Sequence, residues 1–195
     1  MATVMWRISP ACEPAHPLVV AVAGVAGSGK STLGRALAAA LAAPMLDLDS
    51  MTNPLLDRLP AGLFGGHWLA SPLNATIRDG RYAALRAVAR DTVATAGRAV
   101  LVAPFTAELQ GGAEWQLLRE AVGAAALRVV HIDGDAEMFA ARRARRSEER
   151  DRHRMPHTPG RAPAVPVLTV DGELGTEQQL ARVMAALSQH GAIEP

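Results

Sequence analysis

The sequence predicts a three-layer α/β domain, a parallel sheet with helices on both faces. Three observations carry this. Residues 18–23, L-V-V-A-V-A, are apolar throughout, as a strand buried on both faces is. A glycine-rich loop follows them, and then an Ala- and Leu-rich segment at 31–42 that reads as a helix. Short apolar runs then keep alternating with helix-length segments, over a chain of 195 residues that is long enough for one self-sufficient core.

In order, the expected elements are strand 18–23, helix 30–42, strand 44–48, helix 77–96 and strand 99–103. Helix 113–123, strand 127–132, helix 135–147, strand 165–170 and helix 176–188 complete the set, with no internal repeat. Residues 1–16 read as an N-terminal extension, and 17–190 as a single domain. Within it, 50–76 holds Pro54, Pro60, Gly62, Gly65, Gly66 and Pro72, too irregular for one long helix.

Composition narrows the class. Hydrophobic residues are 49% and charged residues 20%, the balance of a folded globule. The net charge of +1, from 20 Lys+Arg against 19 Asp+Glu, argues against a protein that coats nucleic acid. Cys12 is the single cysteine, so neither an internal disulfide nor a multi-cysteine zinc site is expected. No apolar run reaches the ~18 residues of a membrane span, and the first residues lack a secretory pattern. The default expectation is a cytoplasmic protein with no membrane partner.

The strongest motif is G-V-A-G-S-G-K-S-T, Gly24 to Thr32, which fits G-x-x-x-x-G-K-[ST], the Walker A pattern. Gly24, Gly27 and Gly29, with Ser28 between them, let backbone N–H groups approach phosphate closely. The N-terminus of the following helix adds positive partial charge. Lys30 would reach the β- and γ-phosphates, Ser31 would ligate Mg²⁺, and Thr32 would lie near the α-phosphate. Lys30 is also the sole lysine; the other 19 basic side chains are arginine. The bland alternative is a glycine-rich turn before an ordinary helix.

Walker A implies a nucleoside triphosphate without saying what is done with it. The next apolar run, P-M-L-D-L-D at 44–49, ends in Asp47 and Asp49, which share one face if the segment is extended. It reads as strand 2, with both carboxylates at its C-terminal end, where open α/β sheets bind ligands. Two carboxylates aimed at a phosphate site favour a cation and a hydroxyl between them. Helix capping is the alternative.

The P-loop followed at this spacing by L-D-x-D resembles the gluconate kinase and shikimate kinase group of small P-loop phosphotransferases. P-L-N at 72–74, V-V-H-I-D-G-D at 129–135 and V-P-V-L-T-V-D at 165–171 resemble further segments of gluconate kinases. There is a more distant likeness to chloramphenicol phosphotransferases. The resemblance implies a P-loop NTPase fold with five parallel strands in the order 2-3-1-4-5 and an arginine-rich lid. It also implies roles: Asp49 contacts the acceptor hydroxyl and acts as its base, and Asp47 holds Mg²⁺ through water. Consistent with that, strand 99–103 ends in Pro104, Phe105 and Thr106, with no Walker B carboxylate.

Seven arginines crowd residues 142–154, between the fourth and fifth strands, where such kinases carry the lid, here 147–160. Arg146 and Arg150 are the candidates for phosphate contact and Arg142 for the adenine side; a solvated helix face is the alternative for each. The 50–76 segment is the candidate acceptor-binding insertion. Trp68, with Phe64 and His67, either lines a pocket there or packs. Arg78 and Arg81 suit an anionic acceptor or are surface charge, and Thr106 and Glu108 point toward the same mouth. Trp115 and His131 read as core residues.

These expectations converge on an ATP- and Mg²⁺-dependent phosphotransferase acting on a hydroxyl of a small molecule: a sugar acid, a polyol or a natural product such as an antibiotic. Small kinases of this kind occur as monomers or homodimers. The other class left open is a nucleotide-binding regulatory module whose lid closure is read by a partner.

Overall fold

The computed structural model describes residues 17–146 and 161–191. The expected extension 1–16 and the expected lid 147–160, Arg150 included, lie outside the described residues, as does the side chain of Arg146.

Five strands form one sheet: β1 (Leu18–Gly24), β2 (Met45–Asp47), β3 (Arg98–Val102), β4 (Ala126–Asp133) and β5 (Leu168–Asp171). All pairings are parallel, and the order is β2-β3-β1-β4-β5. Every parallel neighbour needs a crossover, which the helices supply. They are α1 (Lys30–Ala40), α2 (Leu48–Leu56), α3 (Asn74–Ala96), α4 (Gly112–Val122), α5 (Ala136–Arg146) and α6 (Thr176–Gly191). None of the described helices is long and apolar enough to cross a membrane.

Strand periodicity splits the core in two. Val19, Ala21 and Ala23 face one side with Ala99 and Leu101, packed on Leu48, Leu85 and Leu118 of α2, α3 and α4. Val20 and Val22 face the other with Val100 and Val102, packed on Leu33 and Leu37 of α1, Phe139 of α5 and Val183 of α6. The continuous apolar run at 18–23 is thus explained, because both faces are covered. α1 lies very close to the sheet: a Cβ at Gly34 would collide with Val102, so only glycine permits this approach.

The ends of the elements differ from expectation in one consequential place. β2 stops at Asp47, and Leu48–Leu56 is a helix even though Pro54 lies inside it. Asp47 and Asp49 therefore do not share the face of an extended segment. Asp47 caps α2, and Asp49 sits in its first turn. The chain turns there because Asp47 Oδ1 accepts from the backbone N–H groups of Asp49 and Ser50, at 2.9 and 3.1 Å. Residues 57–73 are irregular, as expected, with two short 3₁₀ turns.

Candidate active site

The switch point of the sheet lies between β1 and β3 on one side and β4 on the other, and the loop from Gly24 to Gly29 rises there. Gly29 starts α1 at φ 96° and has no side chain with which to cap it, and no acidic residue stands in the first turn. The helix N-terminus thus keeps its positive end for an anion. Gly27 holds φ 87°, and a Cβ there would strike the Phe139 carbonyl and Arg143 of α5. Ser28 is buried, and its Oγ has no partner among the described residues. An orphaned hydroxyl inside a cradle of this shape fits a phosphate-binding loop.

Lys30 Nζ donates to the Val25 carbonyl at 2.8 Å, which folds the ammonium back over the loop. Ser31 Oγ donates to Asp47 Oδ2 at 2.7 Å. This contact ties the P-loop to the end of β2. Its donor set suits Mg²⁺: the hydroxyl keeps its lone pairs while its O–H donates to the carboxylate, and hard oxygen ligands are what the ion takes. The two oxygens of Asp47 divide the readings offered for it, one capping α2 and the other facing Ser31.

Asp49 is held by Arg81, Nη2 to Oδ1 at 2.6 Å. Arg81 also donates to Thr52 Oγ1 at 2.8 Å and Asn53 Oδ1 at 2.9 Å, and its guanidinium lies 5.1 Å from the Trp68 ring. Trp68 is buried, bonded through Nε1 to Asp57 at 2.7 Å and stacked on His67. One turn back on α3, Arg78 lies 4.3 Å over the Tyr82 ring. Its Nη2 meets both oxygens of Glu108, at 3.3 and 3.5 Å. Glu108 is 2% exposed, and burial pushes its carboxyl above the usual range. Burial, helped by the Glu108 charge, pushes the Tyr82 phenol strongly up as well.

Tyr82 Oη accepts the Phe105 N–H at 3.0 Å. Phe105 has φ 50°, an unusual value for an aromatic residue, and the surrounding packing maintains it. This corner directs the chain after β3 so that Thr106 and Glu108 follow toward the sheet's C-terminal edge.

Two cavities open here. One of about 410 Å³ is lined by Gly24 and Val25 of the phosphate loop, by Thr106, Gln110 and His131, and by Arg161. His131 is therefore not the core residue expected; it is half-buried in that wall, with its pKa lowered by desolvation. The other cavity, about 340 Å³, lies under the 3₁₀ turns, where Phe64, His67 and Trp68 all contribute. Trp115 packs partly buried against the core, as expected.

On the far side of the loop, Arg142 donates to the Gly172 carbonyl beyond β5 at 2.8 Å. Arg143 donates to the Ala26 carbonyl at 2.7 Å. The structure thus brings together Gly24, Gly27, Ser28, Gly29, Lys30, Ser31, Asp47 and Asp49. Thr32 follows on α1, where its backbone N–H bonds the Gly29 carbonyl at 3.0 Å. Arg81 meets Asp49, with Trp68 beneath it, Arg78 meets Glu108, and Thr106 lines the cavity beside the phosphate loop. Sequence reasoning did not single out Arg143, Thr52, Asn53, Gln110 or Arg161. Only the fold puts these next to the motif; Arg143 in particular was one of seven arginines with nothing local to distinguish it.

A strand, a glycine cradle and a helix bearing the lysine and serine, on a sheet of this order, define a P-loop protein. The sequence model of the family described as AAA domain matches residues 19–158, and the chain belongs to that family. No curated protein matches it. Among solved structures, it is similar to an APS kinase of Mycobacterium tuberculosis in complex with AMPPNP and APS: TM-score 0.64, 20% identity, covering 90% of this chain and 99% of that one. A gluconokinase from Sinorhizobium meliloti 1021 matches with TM-score 0.55 and 19% identity over 89% of this chain and 93% of that one. A shikimate kinase from Aquifex aeolicus matches with TM-score 0.53 and 16% identity over 90% and 99%. At these identities the likeness establishes the three-layer fold.

Proposed function

We infer that the protein is a small-molecule kinase that transfers the γ-phosphoryl group of ATP to a hydroxyl of its acceptor, with Mg²⁺. The observation that carries this is the 2.7 Å bond from Ser31 to Asp47, with Asp49 in the next turn. It joins the phosphate loop to the Asp47 carboxylate, which caps the turn that carries Asp49. Transfer of this kind needs positioning and charge neutralisation more than covalent chemistry. The loop and Lys30 hold the triphosphate; Ser31 and Asp47 would hold the ion. Held there, Mg²⁺ would supply positive charge that offsets the charge developing on the transferring phosphoryl group.

Asp49 then accepts the proton of the attacking hydroxyl, and Arg81, braced by Thr52 and Asn53, fixes the orientation of that carboxylate. Arg142, bonded to the Gly172 carbonyl beyond β5, is assigned to the adenine side, and Arg143, bonded to the Ala26 carbonyl, to bracing the P-loop. Arg146 and Arg150 are assigned to a lid over residues 147–160 that screens the transferring group. The 50–76 segment is assigned to the acceptor, and a cytoplasmic location fits the single cysteine.

The deciding measurement is ADP release across sugar acids, polyols, nucleosides and hydroxylated antibiotics, with Lys30→Ala as the blank. Strong stimulation by one compound, lost in the blank, supports the kinase. Tight nucleotide binding without stimulation by any acceptor favours a regulatory P-loop module.

A further inference from the structure

Both arginines that the sequence offers to an anionic acceptor already have carboxylate partners inside the protein. Arg81 is joined to Asp49 at 2.6 Å and is 14% exposed. Arg78 straddles both oxygens of Glu108 and has Asp79 3.6 Å away on its other side. Glu108 is buried and reaches this position because the strained corner at Phe105 turns the chain inward. Among the described residues, these two guanidinium groups face three carboxylates, so this set carries no surplus positive charge. Arg161 stands apart from this set, in a cavity wall that it shares with Gly24 and Val25 of the phosphate loop.

A carboxylate or phosphate acceptor entering here would have to displace Glu108 from Arg78, leaving a buried charge without its partner. It would also meet like charge from Asp49 and Asp79. We propose that Glu108 is a specificity-determining residue that excludes anionic acceptors, so that the substrate is an uncharged polyhydroxylated molecule. This rests on the kinase reading for the word acceptor, and on the ion pairs alone for the exclusion. Discrimination by a built-in repulsive group is a general route to specificity.

The test is calorimetric titration of the nucleotide-free full chain with gluconate as the carboxylate probe, at low and high salt. The wild type is expected to show no saturable binding up to about 10 mM. Glu108→Gln removes the competing charge and should bind gluconate about tenfold tighter, in a salt-sensitive way that a second change, Arg78→Met, abolishes. Asp79 is 70% exposed, so Asp79→Asn folds regardless and should move affinity the same way by less. Wild-type gluconate binding that Arg78→Met abolishes would overturn the proposal. So would the absence of any gain in both Glu108→Gln and Asp79→Asn. The titration uses no nucleotide, so failure here leaves the Lys30-dependent assay to judge the kinase reading separately.

Discussion

In the proposed kinase Asp49 and Lys30 carry the chemistry, and each has a partner in this structure that its role must accommodate. Lys30 lies on the Val25 carbonyl at 2.8 Å, and that bond must give way to a phosphate oxygen. Lys30→Ala should lower kcat/KM by about 100-fold or more, the scale of losing one charge-stabilising donor. Asp49→Asn keeps the side-chain shape and an oxygen for Arg81 but cannot take a proton. Transfer should fall by about 100-fold or more while ATP affinity changes less than about threefold; single-turnover phosphoryl transfer alongside equilibrium nucleotide binding separates the two. Retained turnover in Asp49→Asn would remove it as the base. Residues within the motif were legible from sequence because their types and spacing are set by phosphate itself. The harness around Asp49 was not, because Thr52 and Asn53 meet Arg81 only after residues 28 and 29 positions apart in the chain are folded together.

Elements were legible wherever a strand is buried on both faces, since nothing but an unbroken apolar run suits that position. The misreading at Asp47 has a local cause. P-M-L-D-L-D continues the apolar alternation, and Pro54 argues against a helix. The Asp47 cap prevails because it bonds two N–H groups that the helix would otherwise leave open. One side chain thus does two things with two oxygens, and they can be separated. Asn is as good a cap as Asp, so Asp47→Asn should alter stability by less than about 0.5 kcal/mol in urea unfolding. Its amide nitrogen would then face Ser31 in place of Oδ2, and the Mg²⁺ concentration for half-maximal turnover should rise about tenfold. A loss of stability comparable to Asp47→Ala, about 1 kcal/mol, would show that the cap needs the charge. The loop–α5 contact gives a second test. Gly27→Ala places a Cβ against the Phe139 carbonyl at a positive φ and should cost about 1–3 kcal/mol.

At the scale of the whole fold, buried Glu108 and half-buried His131 tie stability to pH with opposite sign on the acid side of neutrality. Burial raises the Glu108 carboxyl above its ordinary 4.5, so the folded state holds that proton more tightly than the unfolded chain does. As pH rises from about 4.5 through the folded value, stability is lost. Burial lowers His131 below its ordinary 6.5, so the folded state binds that proton less tightly. As pH falls through about 6.5 toward the folded value, stability is lost there too. Acidification from neutral pH thus costs stability through His131 while gaining it through Glu108, and the two partly cancel. The single variants expose what the wild type hides. Glu108→Gln should lose stability on acidification more steeply than the wild type, and His131→Gln less steeply or even gain. Urea midpoints at several values from pH 7.5 to pH 4.5, compared as differences from the wild type, read both slopes. Because His131 lines a cavity with the phosphate loop while Glu108 is paired with Arg78, on the side proposed for the acceptor, the same two variants report which half of the site a bound ligand presses on: a nucleotide should move the His131-dependent slope and leave the Glu108-dependent one in place.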